Sequence, residues 1–180
     1  MKTTKIILIV LIAINIIGCK SKKDIAKATK SNEIELPFSG KQYQTDKNYF
    51  RAVKSGTSDN QNNAEQIART LAINEIGVNV GVINKNVTEI YMSQRGEKSG
   101  NDFNEIVRQV SKQVITDINT VDSKLYQDNK TKMYTFWVVL EVNKDDVINM
   151  LLKNAADEKV QINKEKFTGV YNEEMSKIGE

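Results

Sequence analysis

Apolar residues recur along this chain at two spacings, every third or fourth residue in some stretches and every second residue in others. The stretch from Ala64 to Tyr91 has helical spacing throughout, and only Gly77 and Gly81 interrupt it, softly. It predicts one long helix or two stacked helical pieces. Its apolar positions are Ala64, Ile67, Ala68, Leu71, Ala72, Ile76, Val80, Ile83, Val87, Ile90 and Tyr91.

Three later stretches also predict helices. The first begins at Asn101 or Asp102, either of which can cap it. The second follows Asn143, another capping residue, and a third and weaker one covers roughly residues 164–178. The first of these helices has an apolar stripe made of Phe103, Ile106, Val107, Val110, Val114 and Ile118.

Alternation of apolar and polar residues predicts strands at 49–55, at 121–126 and, most clearly, at 132–142, with a turn over 56–59 after the first strand. The clearest strand has two different faces, and we expect the more apolar face to carry the core. That face holds Tyr134, Phe136, Val138, Leu140 and Val142, and the opposite face holds Met133, Thr135, Trp137, Val139 and Glu141.

The order strand, helix, helix, strand, strand, helix predicts an α+β fold. We expect a small antiparallel sheet of about three strands, covered on one face by long helices, with further helices at the C-terminus. The first strand must pair with one of the two later strands, because a two-stranded sheet alone would be marginal. The globular domain is predicted over residues 46–157, and a C-terminal helix over 158–180.

The beginning of the chain has the pattern of a secretory signal, with Lys2 and Lys5 before an apolar run. About a dozen apolar residues reach roughly 18 Å, which is short of the ~30 Å hydrocarbon core of a bilayer. The run ends in Ile-Ile-Gly-Cys at Cys19, which resembles the lipobox of bacterial lipoproteins. The resemblance implies a signal peptide over 1–18 and a lipid on Cys19. The lysine-rich segment that follows predicts a flexible tether, assigned to residues 19–45. The alternative is an inert, buried Cys19 behind an ordinary signal.

The residue after Cys19 bears on where such a lipoprotein is sorted. In Gram-negative lipoproteins an Asp at this position favours the inner membrane, whereas this chain has Lys20. Lys20 therefore favours the outer membrane. Nearby lysines have the wrong sign for an acidic surface-export signal, so we expect the protein to face the periplasm, with the cell surface as the alternative.

Composition excludes several kinds of chemistry. The 180 residues include one Cys and no His, so the chain cannot build a Ser-His-Asp or Cys-His relay or an ordinary zinc site. No serine has a lysine three positions later. Removal of residues 1–18 would leave 24 of the 26 basic residues against 23 acidic ones, which is a weak basis for nucleic-acid binding. We therefore expect no enzyme, no cofactor, no metal and no nucleic-acid partner. A hydrolase that uses carboxylates alone is the remaining catalytic alternative.

Several motifs between residues 36 and 180, each of low specificity by itself, together resemble the Lpp-twenty type of envelope lipoprotein. They comprise a Tyr-Phe-Arg-Ala strand, a turn of small residues, a helix with widely spaced alanines, a distal hairpin and a Lys-Phe…Glu-Glu-Met tail. The matching positions are Asp46, Tyr49, Phe50, Arg51, Ala52, Gly56, Ser58, Ala64, Ala68, Lys166, Phe167, Glu173, Glu174 and Met175. Lys54 departs from the pattern, because the family usually has a small residue there. The resemblance implies a helix packed on a three-stranded sheet, an envelope lipoprotein and no known catalysis.

The second face of the sheet is the candidate partner surface. If the core lies on the other face, this one presents Met133, Trp137 and Val139, joined by Tyr126 and, depending on strand register, by either Tyr49 with Arg51 or Phe50 with Ala52. The candidate surface residues are Arg51, Tyr126, Met133, Trp137 and Val139. Aromatic residues, Met and Arg are enriched at protein interfaces. The alternative is that the C-terminal helix or a second copy of the chain covers these residues.

The sequence thus predicts a lipid-anchored envelope protein with a non-catalytic binding or structural role. Its expected partners are the membrane, through the N-terminal lipid, and an envelope protein or a second copy of the chain. The alternative function is a periplasmic carrier or sensor for a peptide, a glycan or a lipid fragment. A pocket with converging polar groups would favour the carrier, and a flat apolar face would favour a protein partner.

Overall fold

The computed structural model describes residues 34–96 and 101–178. The signal segment, Cys19 and most of the predicted tether lie outside these ranges. After a 3-10 turn at Lys41–Tyr43, the helices and strands are β1 (Tyr49–Ser58), α1 (Gln61–Gln94), α2 (Asn101–Gln113), a 3-10 turn (Val114–Asp117), β2 (Asn119–Gln127), β3 (Tyr134–Asn143), α3 (Lys144–Asp157) and α4 (Lys164–Ser176).

The three strands form one antiparallel sheet in the order β1-β3-β2. This confirms the predicted α+β class and the predicted pairing of the first strand with a later one. The central strand is β3, which has the strongest alternation in the sequence. Its predicted core face is also confirmed, because Phe136, Val138, Leu140 and Val142 are all buried.

Helix α1 is a single helix of 34 residues, about 51 Å long, and no break occurs at either internal glycine. Asn60 caps it by accepting hydrogen bonds from the amides of Asn62 and Asn63. Every fourth residue from Ala64 to Met92 is buried. Four residues advance about 400° around a helix, so each step moves the buried position by about 40°. The buried stripe therefore winds around α1, and different sides of the helix meet different neighbours.

The N-terminal half of α1 lies against the sheet and the C-terminal half lies against α4. A Cβ atom added to Gly56 of β1 would lie 2.6 Å from the Ala68 nitrogen, so strand and helix are in direct backbone contact here. At the other end, the Tyr171 hydroxyl donates to Asn84 Oδ1 over 2.7 Å, and the rings of Tyr91 and Phe167 are 5.4 Å apart. Because the stripe winds, Ile67 and Leu71 of the predicted apolar pattern are exposed.

The later helices follow their predicted positions closely. Helix α2 buries the predicted stripe from Phe103 to Val110, and Val114 at the start of the following 3-10 turn is buried as well. Helix α3 is capped by Asn143, which accepts from the Asp145 amide. Helix α4 is capped by Asn163 and buries one side of its surface in the same core as α1. The buried residues of α4 are Phe167, Val170, Tyr171 and Met175.

Candidate functional site

The candidate site is the outer face of the sheet, which we define as the face opposite α1. The strand register places four cross-strand rows on it. These rows are Arg51, Glu141 and Asn119; Val53, Val139 and Asp122; Ser55, Trp137 and Lys124; and Thr57, Thr135 and Tyr126.

Part of this face is covered by residues 37–46, which we call the N-terminal strap. Above β2, the Phe38 ring is 5.0 Å from Lys124 Nζ and packs edge-on against Tyr43, with ring centroids 5.0 Å apart. The Tyr43 hydroxyl donates to Asp122 Oδ2 over 3.3 Å. Above β1, the Thr45 hydroxyl accepts from the Arg51 amide and donates to the Arg51 carbonyl. The strap thus crosses the sheet from β2 to β1.

Arg51 is the most highly connected side chain on the outer face. Its Nε donates to Glu141 Oε2 over 2.8 Å, and its Nη1 donates to Asp46 Oδ2 over 2.6 Å and to the Gln44 carbonyl over 3.1 Å. The guanidinium also lies over the Tyr49 ring, 4.7 Å from its centroid. Its side chain is only 11% exposed. Arg51 therefore joins the strap to two strands and has little surface left for a partner.

Asp46 closes this network from the strap. Its Oδ1 accepts from the amides of Asn48 and Tyr49, and its Oδ2 binds Arg51. Burial alone would raise the pKa of Asp46, but these three donors outweigh burial and hold the pKa below its ordinary value of 3.8. The carboxylate is consequently charged in the folded protein over a wide pH range.

The five predicted surface residues divide into three groups. Val139 is fully buried, so its assignment to an accessible surface was wrong. Arg51 is committed to the network with Asp46 and Glu141. Met133 and Trp137 are half-buried, and Tyr126 is 47% exposed. The accessible part of the outer face is thus a smaller patch around Trp137 and Tyr126, at the end of the sheet away from Arg51.

The element that covers Val139 differs from the expectation. The expected cover was the C-terminal helix or a second copy of the chain, and residues 37–45 were predicted to belong to the tether. In the structure α4 packs on α1 instead. Phe38 of the strap lies over the sheet and is buried, with only 7% of its surface exposed. The sequence did contain an indication that the strap packs on the domain. Phe38 and Tyr43 are aromatic, whereas the segment before them, from Lys20 to Glu33, contains no aromatic residue.

A second concave feature lies between α1 and α2, which we call the helix groove. It has a volume of about 970 Å³. The helices approach at Gly81, where an added Cβ would be 3.4 Å from Ser111 Oγ. The sequence marked Gly77 and Gly81 as interruptions of the helical pattern, but it did not identify which residues line a groove beside them. It is lined by Asn74, Gly77, Val78, Gly81, Lys85, Glu89, Asn104, Val107, Arg108, Ser111 and Lys112.

Metal-binding clusters and membrane-spanning helices were sought in the described ranges, residues 34–96 and 101–178. No three acidic, His or Cys side chains there converge as a metal site requires. None of the helices there is long and apolar enough to cross a bilayer. Comparison with known proteins gives no match to any family model and no match to a curated protein.

Proposed function

We propose that this chain is a lipid-anchored envelope protein, held in the outer membrane by a lipid on Cys19 and facing the periplasm, with a non-catalytic binding or structural role. The position of Cys19, directly after an aliphatic-aliphatic-glycine triplet at the end of an apolar run, supports the anchor. Two or more acyl chains on one cysteine hold a protein firmly at a membrane, whereas one chain holds it reversibly.

A relation to the Lpp-twenty type of lipoprotein is part of this proposal. The resemblance depends on positions that have a clear physical task in the fold. Gly56 allows α1 to approach β1, and the small side chains of Ala64 and Ala68 fill the same contact. Lys54, which departs from the pattern, lies on the helix side of β1 and forms an ion pair with Glu75 of α1.

The observation that carries a binding role is the patch around Trp137 and Tyr126. Both side chains lie on the outer face at neighbouring cross-strand positions, beyond the strap, and Tyr126 is 47% exposed. Tyr and Trp bury a large area at low entropic cost and are enriched among the residues that dominate interface energies. A patch of this composition suits a protein partner.

The helix groove supports the second candidate function, a carrier or sensor. Its volume of about 970 Å³ is in the range of small-molecule sites. Lys85, Arg108 and Lys112 line it together with one carboxylate, Glu89. A ligand with an anionic group, such as a lipid fragment or an acidic peptide, has the matching chemistry.

The anchor is tested by Cys19→Ser. We expect the variant to leave the membrane fraction and to lose incorporation of labelled palmitate. Lys20→Ser is the matched control and should remain membrane-bound. Unchanged membrane fractionation of Cys19→Ser would remove the main support for the anchor.

The partner surface is tested by Trp137→Ala and Tyr126→Ala, with photo-cross-linking of the full chain in its own envelope. Each variant should lose the principal cross-linked adduct while its melting temperature falls by only a few degrees. Ile67→Ala is the control, because Ile67 is similarly exposed at 42% but lies on α1. An unchanged set of adducts in both test variants would contradict the surface.

The groove is tested by thermal shift against extracted envelope lipids, glycans and peptides. A ligand at 100 times its dissociation constant stabilises the fold by about 2.7 kcal/mol. Val78→Arg places a long side chain in the groove at a residue that is 63% exposed, so the fold should tolerate it. A shift that is the same in this variant and in the original protein would show that the ligand binds elsewhere.

A further inference from the structure

The two edges of the sheet differ in how their backbone groups are used. At the β1 edge, the strap supplies a partner at two points: Thr45 binds both the amide and the carbonyl of Arg51, and the Asp46 amide donates to the Tyr49 carbonyl. Strand β2 has no such cover within the described residues. Eight of its nine residues are exposed, and only Asp122 is partly buried.

The register shows which groups of β2 face outward. Because the amide and carbonyl of Arg51 bind Thr45, those of its cross-strand partner Glu141 point to the other side of β3, towards β2. The same holds for every second residue of β3, so Asp122 and Lys124 bond to β3 while Ser123 and Leu125 direct their backbone groups to the open edge. In the single chain the Ser123 amide donates to Asp122 Oδ1 over 2.7 Å, and pairing with a second strand would exchange this bond for one to the partner's carbonyl.

An open edge of this kind can accept another strand, and β2 has a self-complementary sequence. When two copies of β2 are placed antiparallel and centred on Ser123, Asp122 lies opposite the partner's Lys124. Val121 is the extra residue of a bulge between Thr120 and Asp122, and it lies near the partner's Leu125. Opposite charges and apolar pairs across two strands are stabilising. Registers centred on Asp122 or on Lys124 would instead place like charges directly opposite each other.

The surroundings of β2 leave room for a second copy. Helix α1 packs mainly over β1 and β3. It reaches β2 at Thr120, whose hydroxyl accepts from Arg69 over 3.0 Å, while Ser123 and Leu125 further along the strand are exposed. Val121 is 43% exposed and Leu125 is 39% exposed, and both apolar side chains would be covered in this pairing. Ser123 sits on the two-fold axis as a hydrogen-bonded pair, in which each amide donates to the carbonyl of the other copy.

We propose that two copies of this chain associate through the open edge of β2, antiparallel and centred on Ser123, to form a continuous six-stranded sheet. The Asp122 and Lys124 pairs set the register, and Val121 and Leu125 supply the apolar contact. The dimer does not depend on the lipid or on the patch around Trp137.

Disulfide cross-linking of full-length chains in isolated membranes, with a mild copper oxidant, tests the register. A hydrogen-bonded antiparallel pair has its Cα atoms about 5.5 Å apart, which suits a disulfide. Ser123→Cys should therefore give a covalent dimer. Gln127→Cys is the matched control: it lies on the same exposed strand, but the two copies would be about 27 Å apart. We expect at least a tenfold difference in dimer yield, with the original chain, which has only Cys19, as background.

Charge reversal tests the specificity. In the Ser123→Cys background, Asp122→Lys and Lys124→Asp should each reduce the dimer several-fold, because each homodimer then has two like-charge pairs. Co-expression of the two reversed chains should restore cross-linking between them, since both pairs are again of opposite sign. Circular dichroism melts verify that each variant is folded. Equal yields for Ser123→Cys and Gln127→Cys, adducts with another protein only, or no recovery on co-expression would each overturn the proposal.

Discussion

The two faces of the sheet are both covered, but by very different means. The face towards α1 is covered by a 34-residue helix in direct backbone contact with β1. The outer face is covered in part by the strap, held by Arg51, Asp46 and two aromatic side chains. One cover is an apolar layer set by periodic side chains, and the other is a short segment fixed by a few specific polar bonds. The comparison shows that a buried residue does not by itself identify the helix side of a sheet.

The largest effect is expected where the helix and the sheet touch. Gly56→Ala should lower the free energy of unfolding by about 3 kcal/mol, because its Cβ would overlap the backbone of α1 at Ala64 and Ala68. Gly169→Ala is the matched control in α4, where an added Cβ meets nothing within 4 Å. It should raise the free energy by about 1 kcal/mol. Urea denaturation of both variants measures the contrast, and equal effects would contradict the close approach.

A pair of neighbouring valines compares the two faces directly. Val138 lies on the helix side and Val139 on the outer side of β3, and both are 0% exposed. Val138→Ala should cost about 2 kcal/mol, from lost apolar burial and the cavity that remains. Val139→Ala should cost less, because the strap can move in to fill the space. A larger loss for Val139→Ala in urea denaturation would show that the strap is the more rigid cover.

Asp46 makes the stability of the outer face depend on pH. Its pKa is lower in the folded state than its ordinary value, so its contribution to stability is complete above about pH 4 and is lost as the pH falls through the folded pKa. Asp46→Asn should cost about 1 kcal/mol at pH 7, a modest value because the side chain is 43% exposed. The difference from the original protein should shrink as the pH falls below about 4, as measured by urea denaturation. A difference that stays the same at low pH would show that the substitution acts through the shape of the side chain and not through its charge.

The smallest effect is expected at the one lysine on the helix side of β1. Lys54 pairs with Glu75, but both side chains are more than a third exposed. Lys54→Met should therefore change the free energy of unfolding by no more than about 0.5 kcal/mol in either direction. A loss above 1 kcal/mol in the same assay would give this ion pair a larger role in joining α1 to the sheet.

The sequence predicted the helix side of the molecule well, for a physical reason. An element buried on one side repeats its apolar residues with its own period, so Phe136, Val138 and Leu140 could be assigned to the core from spacing alone. Caps such as Asn143 are also local, because the side chain binds an amide two residues away. The sequence did not predict that the buried stripe winds around α1. Apolar residues four positions apart suggest a single face of a helix, and the change in direction of about 40° per step becomes apparent only when it is summed over several steps.

The candidate site was only partly predictable. Alternation placed Trp137 and Val139 on one face of β3 but left open whether Arg51 or Phe50 of β1 joins them, and the observed register selects Arg51. It could not show that Val139 is covered, because the strap has no periodicity and reaches the sheet through contacts such as Tyr43 with Asp122, which are 79 residues apart in the chain. The lining of the helix groove could not be predicted for the same reason, since its two walls come from separate helices.

By itself the sequence determined the α+β class, the order of the elements, the core face of the central strand and the lipobox-like position of Cys19. These features depend on local periodicity, capping and position along the chain. Only the tertiary structure decided that the strap covers Val139, that Arg51 joins strap to sheet and that β2 keeps an open edge. Those features arise from contacts between distant residues, in which one specific hydrogen bond or ring contact leaves no repeating pattern in the sequence.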